Sequence, residues 1–400
     1  MRISTLAIYN QNISSMNRQQ TEFMKISQQI ASGKRIVNIS DDPQAMTQAI
    51  NIGQSKSVTG QFSEARVGVR NALSQEESVL NNVADMYSRA KTLLVQASSD
   101  TLSDADKTAV ASELRGIYEA LIGLGNTRDG NGRYLFGGHQ DDSAPFVRDP
   151  SAGVVNYVGN LNVREQQVDG ARLMPVGHSG DQIFRSVHSS APYRAEVAMD
   201  NQGSLTYKGI TITDSSAATF GQAFDIEFGE DASGQLQYRV NGGAWNDYND
   251  PTVVELGGVA IELEGTPVAG DSLRLARGND NNTDIFVAFE KALAVLENPA
   301  DTASKQATQR NTLRTVMNEL DNGLDNVLTV RAEVGARLNE LDALDAIGGN
   351  RQLAYEQAYS DLVDLDYIEA AAQYSIRMVG LQAAQQAFVD MKGMSLFNFL

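Results

Sequence analysis

Three short segments of this sequence bring together side chains that could do chemistry. In the first, His178, Ser179 and Asp181 are the residue types of a hydrolytic triad. Triad members seldom lie so close in the chain, and the sequence contains no Gly-x-Ser-x-Gly motif to expose the serine on a strand-to-helix turn. The pattern therefore predicts no catalytic residues at this position.

The second segment has the alternating oxygen ligands of a calcium loop. Asp280, Asn282 and Asp284 would supply its first three ligands. Such a loop has glycine at its sixth position and glutamate at its twelfth, but this sequence has Ile285 and Lys291 at these positions. The motif fails, and capping of a helix by Thr283 or Asp284 is the better prediction.

The third segment, His139 to Asp142, follows two glycines and is typical of a polar turn. The sequence also lacks a Gly-x-Gly-x-x-Gly motif, a phosphate-binding loop and a His-Glu-x-x-His motif. Trp245, the only tryptophan, lies beside a glycine-rich turn and is expected in the core or on the surface of a β domain. We therefore expect no catalytic site, no metal and no cofactor.

Composition narrows the class of protein further. The 400 residues carry a net charge of −18 and no cysteine, which excludes disulfides and thiolate sites and disfavours nucleic-acid binding. The sequence has no run of 18 apolar residues, so we expect no membrane insertion. The first eleven residues lack the apolar stretch of a signal peptide, which predicts that any export proceeds without cleavage.

Two long segments carry the heptad spacing of a coiled coil. Between Val58 and Ala97 apolar residues alternate at steps of four and three, and only Glu76 interrupts the seam, where a polar residue often sets the register. A second helix is expected over about 301–344, weakened or ended near Gly348 and Gly349. The predicted core residues of this helical rod are Val69, Val79, Val83, Met86, Leu93, Leu313, Leu320, Val327, Val334 and Leu341.

Weaker stripes occupy both ends of the chain, and the last seven residues include five large apolar side chains. Because exposed termini are usually polar, the apolar end is predicted to contact a partner, another subunit or a chaperone, with burial in the protein's own fold as the alternative. The predicted packing residues are Leu6, Tyr9, Ile13, Met16, Phe23, Ile30, Ile376, Val379, Ala383, Leu396, Phe397, Phe399 and Leu400.

Helix start signals punctuate the N-terminal half. Asp41 and Asp42 precede Pro43 as caps, and Ser103 with Asp106 forms a capping-box variant ahead of a helix over about 104–125. From about 141 to 284 the sequence consists of short runs of alternating apolar and polar residues, separated by glycine-rich turns. This pattern predicts an inserted all-β domain. This segment holds nine basic and 21 acidic residues, so most of the negative charge belongs to it.

Neither the N-terminal nor the C-terminal helical segment can bury its apolar stripe alone, so the simplest fold pairs the helices of the two ends. The predicted fold class is α+β, an elongated antiparallel helical bundle or coiled coil of paired N- and C-terminal helices with an inserted all-β domain. Its predicted divisions are an N-terminal helix pairing with the C-terminal helix, two halves of the helical rod, and the β domain between them. In chain order these divisions are the N-terminal helix 1–42, the first half of the rod 43–140, the β domain 141–284, the second half of the rod 285–364, and the C-terminal helix with its tail 365–400.

Five segments resemble the flagellin family of bacteria, and the two termini resemble its hook–filament junction proteins rather than its filament subunits. They are Met1-Arg2-Ile3-Ser4-Thr5, Ala31-Ser32-Gly33-Lys34-Arg35-Ile36, Ser40-Asp41-Asp42-Pro43, the segment from Asn126 to Gly138, and Ser395-Leu396-Phe397-Asn398-Phe399-Leu400. The resemblance covers about 140 residues at the front and about 110 at the back. Together these motifs are specific, and the distinction from filament subunits rests on the two termini.

The resemblance implies an adapter subunit of the flagellum, with the terminal helices in an inner tube and the β domain facing outward. Members are exported through the flagellar type III channel and escorted by a chaperone that binds the C-terminal region. They assemble as a ring of identical copies that joins hook-associated protein 1 to flagellin. Their ends would stay mobile in the monomer and fold together on assembly.

Three alternatives stay open at this point. A filament-forming flagellin shares the Ser40–Pro43 signature. A secreted enzyme would have its site in the β insertion, supported only by His178, Ser179 and scattered carboxylates. A type III translocator is disfavoured by the lack of a long apolar span.

Overall fold

The computed structural model describes residues 5–99, 101–149, 153–189, 191–278 and 283–393. Within them the helices are α1 Thr5–Ser32, α2 Pro43–Ala97, α3 Asp104–Gly125, α4 Gly180–Phe184, α5 Ile285–Glu297, α6 Ala303–Val363 and α7 Tyr367–Gly393. The strands are β1 Phe146–Arg148, β2 Val155–Tyr157, β3 Glu165–Asp169, β4 Arg172–Pro175, β5 Tyr193–Val197, β6 Thr206–Ile212, β7 Phe224–Glu230, β8 Leu236–Val240, β9 Asn246–Asp247, β10 Thr252–Leu256, β11 Val259–Glu264 and β12 Ser272–Arg277. The α+β class is confirmed.

The chain forms two compact units, which we call terminal and central. The terminal unit comprises Met1–Ala65 and Ala343–Leu400, and the central unit comprises Arg66–Asp342. The helices α2 and α6 each contribute residues to both units, so the boundary falls within helices rather than in loops.

The start signals that the sequence predicts are present. Ser103 accepts a hydrogen bond from the Asp106 backbone N–H while the Asp106 side chain accepts one from Ser103, which is the predicted capping box. Pro43 is the first residue of α2, and Asp284 caps α5 by accepting from the backbone of Phe286 and Val287.

The helix α6 is longer than the sequence predicts. It was expected to end near residue 344, but it continues through Gly348 and Gly349 to Val363 over 61 residues. The cost of each glycine is about 1 kcal/mol against alanine, and a helix anchored on both sides of the pair can absorb it.

The core of the central unit is an apolar cluster shared by α2, α3, α5 and α6. Leu313, Leu320, Val327, Val334 and Leu341 are all 0–1% exposed, so each of five successive heptads of α6 buries one of these residues. On α2 the matching positions Val69, Val79, Val83 and Leu93 are 6% exposed or less, and Met86 is half-buried against the cluster.

The strands of the 141–284 segment do not share one core. Phe146, Val155, Phe184 and Val187 belong to the helical cluster, so the chain from β1 to α4 packs on the helices. A separate cluster begins at Tyr193. We call Tyr193–Arg277 the β body.

The β body consists of two antiparallel sheets, one of strand order β10-β11-β6 and one of order β5-β12-β7-β8-β9. Alternation of buried and exposed residues is clearest in β11, where Val259, Ile261 and Leu263 are fully buried. These side chains and those of β7 and β12 fill the core of the body, as expected for packed sheets with solvated outer faces.

Trp245 marks one outer face of the β body. It is 43% exposed, and the Arg239 guanidinium lies 4.8 Å from its ring centroid. A Cβ added at Gly229 would come within 2.7 Å of the indole, so the glycine makes room for the ring. The tryptophan is therefore a packed surface residue, one of the two positions that the sequence allowed.

Glu319 of α6 is a buried carboxylate beside the β body, 4% exposed. Arg194 lies 3.5 Å and Lys291 3.8 Å from its Oε1, while its Oε2 has no hydrogen-bond partner among the described protein atoms. Burial raises the pKa of Glu319, and Lys291 and Arg194 oppose that shift. Its ionised form is therefore incompletely compensated.

We predict that Gly229→Ala displaces the indole of Trp245. The emission of this sole tryptophan should change, and the β body should lose about 1–3 kcal/mol of stability, as for overpacking at a filled site. Fluorescence-monitored urea unfolding measures both effects. Gly209→Ala is the control, because a Cβ at Gly209 meets no atom within 4 Å; equal behaviour of the two variants would contradict the prediction.

We also predict a pH-dependent effect of Glu319→Gln. Because the folded protein binds this proton more tightly than the unfolded chain, its stabilisation is complete below the unfolded pKa and is lost as pH rises through the folded pKa. The melting temperature of the variant, relative to that of the wild type, should therefore rise as the pH is increased from below about 4.5, the unfolded pKa, towards neutrality. Glu255→Gln, which removes an exposed carboxylate of the β body, is the control, and parallel pH profiles would refute the prediction.

Candidate assembly surface

The triad-type residues do not form a catalytic arrangement. Ser179 is the N-cap of α4 and its hydroxyl accepts from the Gln182 backbone N–H. Asp181 accepts a hydrogen bond from Ser186. His178 contacts neither residue, since both of its ring nitrogens face glutamates.

His178 instead joins the two long helices of the central unit. Its Nδ1 lies 2.8 Å from Glu76 Oε1 on α2, and its Nε2 lies 3.2 Å from Glu333 Oε2 on α6. His178 and Glu76 are 3% and 2% exposed. The polar interruption at Glu76 in the heptad seam is thus matched by a buried hydrogen-bond partner, which the sequence pattern did not reveal.

The part of the chain that the structure describes contains no cluster of metal ligands and no helix that could span a membrane. Within the described ranges, no group of three or more His, Cys, Asp or Glu side chains converges to hold a metal ion. Among the same residues no helix is long and apolar enough to cross a membrane. Asp280, Asn281 and Asn282 of the rejected calcium loop lie outside the described residues.

The family-like segment after α1 forms a backbone clasp with the link between α6 and α7. The Arg35 N–H donates to the Val363 carbonyl at 2.7 Å, and the Leu365 N–H donates to the Gly33 carbonyl at 3.0 Å. Gly33 has φ +69°, and a Cβ there would lie 2.9 Å from the Tyr367 hydroxyl. This position needs glycine, because the chain turns and makes a close approach at the same residue.

Asp41 and Asp42 of the second signature secure the turn into α2. Asp41 Oδ2 accepts from the Asn38 backbone at 3.0 Å and its Oδ1 lies 3.1 Å from Lys25 Nζ. The hydrogen bond from Asn38, and next the contact with Lys25, lower the pKa of Asp41. Asp42 Oδ1 accepts from the Ala45 N–H at 3.0 Å, so this carboxylate caps α2.

Downstream of the clasp, α7 packs against α1. The rings of Phe23 and Tyr374 lie 5.0 Å apart, and Arg377 forms an ion pair with Glu22 at 3.6 Å. The buried or half-buried residues of α7 recur at steps of three and four and define its inner face: Ala370, Tyr374, Arg377, Leu381, Ala384 and Phe388.

The stripe that the sequence singled out on α7 lies on a different face. Ile376 is 69% and Val379 60% exposed, and Ala383 is exposed as well. Together with Ile368, which is 86% exposed, they form what we call the outer face of α7. The helix therefore carries two apolar stripes, of which the sequence pattern predicts only the outer one.

On α1 the predicted packing residues Ile13, Met16, Phe23 and Ile30 are half-buried. Leu6 and Tyr9 belong to α1, and the structure describes no side-chain environment for them. The apolar tail residues Leu396, Phe397, Phe399 and Leu400 lie outside the described residues.

Exposed apolar side chains are concentrated in the terminal unit. Twelve of the 24 large apolar residues that are exposed among the described residues belong to it, although it makes up less than a third of the chain. Its buried apolar residues are few: Ile26, Ile36, Ala45, Ala49, Val363 and Ala370. An isolated chain gains little by such exposure, so this composition favours a surface that other subunits cover.

Comparison with known proteins identifies similar chains along the whole length. The family of the bacterial flagellin N-terminal helical region matches residues 3–141. Flagellar hook-associated protein 3 of Escherichia coli is 34% identical over 399 residues, covering 100% of this chain and 99% of the relative. The protein of the same name from Salmonella typhimurium is 32% identical over the same length, with the same shares covered.

Similar structures have been solved. The crystal structure of FlgL from Xanthomonas campestris matches with a TM-score of 0.69 and 25% sequence identity. The match covers 77% of this chain and 99% of that chain. The similarity therefore includes the helices and strands together rather than the N-terminal region alone.

We predict that His178→Ala destabilises the central unit. The substitution leaves the buried Glu76 without its partner, which should cost about 3 kcal/mol in the free energy of unfolding. Urea unfolding followed by circular dichroism measures this change. Arg89→Ala, which breaks an exposed pair with Glu113, is the matched control and should have a much smaller effect; equal losses would contradict a structural role for His178.

Proposed function

We propose a junction role for this chain, which belongs to the family of flagellar hook-associated protein 3. Full-length identity above 30% to two such proteins establishes the membership. The chain is accordingly a structural component of the bacterial flagellum, and it joins the hook to the filament. The observation that carries the assembly role is the exposed apolar outer face of α7, held in place by the clasp.

The proposed assembly surface consists of α1, α7 and the terminal residues that follow α7. The inner face of α7 is occupied by α1, so Ile376 and Val379 are free to contact another subunit. Burial of exposed apolar area is the main driving force for such association, at about 25 cal/mol per Å². Copies of this chain arranged in a ring would cover one another's outer faces.

The neighbours in the axial structure are proposed to be hook-associated protein 1 on the hook side and flagellin on the filament side. A chaperone would bind the C-terminal region before export, which proceeds without cleavage of a signal peptide. The apolar ends support this proposal, because contact with a partner would shield their side chains from water both before and after assembly. The paucity of buried apolar residues in the terminal unit also favours low local stability there, as expected for ends that become ordered on assembly.

We further propose that the chain has no enzymatic activity. Its relatives are structural flagellar proteins by name. The histidine and serine that suggested a hydrolase are engaged in a helix-to-helix contact and a helix cap. These roles leave neither group available as a nucleophile or a base.

A filament-forming flagellin is the second candidate, because the N-terminal match is to a flagellin region. The two roles differ in what the purified protein does alone. A filament subunit polymerises into long filaments, whereas a junction subunit stops at a short ring or remains monomeric. Light scattering and electron microscopy of the purified chain separate these outcomes.

We predict that Ile376→Ser with Val379→Ser abolishes swimming. Both side chains are exposed in the monomer, so the purified variant should retain its helicity and melting temperature while filament attachment is lost. Motility in soft agar and flagellin shed into the medium are the readouts.

Val253→Ser is the matched control, because Val253 is 58% exposed, like Val379, but lies on the β body. Cells with this substitution should swim normally. Normal swimming of the α7 double variant would contradict the assembly surface.

A further inference from the structure

One edge of the three-stranded sheet in the β body has no strand beside it. In the order β10-β11-β6, and among the described strands, β6 pairs with β11 only. The Thr213 N–H donates to the Gly258 carbonyl at 2.9 Å, so the alternation of an antiparallel ladder gives Thr211 the next bonds to β11. The backbone N–H and C=O groups of Ile210 and Ile212 therefore point away from β11, towards the free edge.

The side chains of these two isoleucines belong to the inner face of the sheet but are incompletely covered. Ile210 is opposite Ile261 and Ile212 is opposite Val259, and both residues of β11 are fully buried. Side chains that are opposite each other on neighbouring strands point to the same face of a sheet. Ile212 is nevertheless 46% exposed, and Ile210 is half-buried. The apolar core of the β body thus reaches the free edge of β6 without a further strand to cover it.

A cleft of about 580 Å³ lies between this edge and α6. Its lining includes Tyr207, Ile210 and Ile212 of β6, and Arg314 and Asn318 of α6. Tyr207 is only 3% exposed, so the contact between α6 and the beginning of β6 is closed. The cleft opens beside that contact, along the part of β6 that has unpaired backbone groups.

Arg314 is the cation in the lining of this cleft that has no anionic partner among the described residues. Its guanidinium lies over the ring of Tyr207, 5.1 Å from the centroid. The other two cations of the lining, Arg194 and Lys208, form ion pairs with glutamates. Stacking on an aromatic ring leaves the N–H groups of a guanidinium available, and their planar arrangement suits a carboxylate.

We propose that an extended peptide segment of a partner protein adds to this sheet along the free edge of β6. The backbone of the segment pairs with Ile210 and Ile212, its apolar side chains cover the two isoleucines, and a carboxylate binds Arg314. Main-chain pairing gives such strand addition its affinity, and the side-chain contacts give it specificity. The partner is therefore a chain with an exposed segment of high strand propensity that carries alternating apolar residues and an acidic one.

Selection from a phage-displayed library of random heptapeptides tests this proposal on the full chain. We expect the enriched peptides to contain Asp or Glu and to have apolar residues at alternate positions. Arg314→Gln should weaken the binding of these peptides at least about tenfold, because hydrogen bonds to a charged group are lost. Arg115→Gln is the matched control, since it breaks an exposed ion pair with Glu297 on the helices and should leave binding unchanged.

Hydrogen exchange distinguishes strand addition from binding elsewhere on the chain. The enriched peptides should slow the exchange of the Ile210 and Ile212 amides at least about tenfold. The Thr211 amide, which the ladder with β11 already holds, should change much less. The proposal would be overturned if no peptide is enriched, if the peptides bind the Arg314→Gln variant as tightly as the wild type, or if the two isoleucine amides stay unprotected.

Trp245 emission reports whether the β body remains folded in the Arg314→Gln variant. If it does not, Arg314→Lys, which keeps the charge but loses the planar fork, replaces it, and unchanged peptide binding would then overturn the proposal. Dimers of the chain that the enriched peptides dissociate would identify a second copy as the occupant of the edge, and would overturn the proposal of a separate partner.

Discussion

The apolar seam between α2 and α6 is the interaction on which the rest of the molecule depends. Residues such as Val83 and Val327 are completely buried and recur with each heptad, so the two helices are fixed along the central unit. Because the helices come from opposite ends of the sequence, the seam also brings both chain ends into one unit. The clasp between Gly33 and Leu365 joins the same two halves of the chain within the terminal unit.

Much of this architecture could be predicted from the sequence, since it follows from local physics. The helix α3 and its capping box depend on residues three apart, and the seam depends on a regular repeat, so both are visible in a single chain. The predicted end of α6 near residue 344 is wrong, because the helix on both sides of Gly348 and Gly349 offsets the local cost of the two glycines. Strand pairing in the β body joins distant residues, such as Tyr193 and Arg277, which no local pattern links.

The candidate surface was predictable in part for a similar reason. The stripe of Ile376 and Val379 on α7 was visible as a period, but its exposure was not, because a period does not tell which side faces a neighbour. The inner stripe is less visible in the sequence, because Arg377 interrupts its apolar character. The partner of Glu76 was equally hidden, since His178 lies 102 residues away in the chain.

These features divide the molecule by the kind of surface that each part presents. The terminal unit exposes apolar side chains, which suits burial between subunits, and the 141–284 segment carries most of the negative charge, which suits a solvated outer surface. Both kinds of surface fit the proposed junction role, in which the apolar side chains are buried between subunits and the charged segment stays in solvent. The family membership and this distribution of surface lead to the same conclusion.

The most direct test of the junction role is electron microscopy of cells that lack this protein, with flagellin assayed in the medium. The account predicts hooks without filaments, flagellin released from the cells, and filaments restored when the chain is supplied again. Filaments of normal length on the cells that lack it would contradict the account.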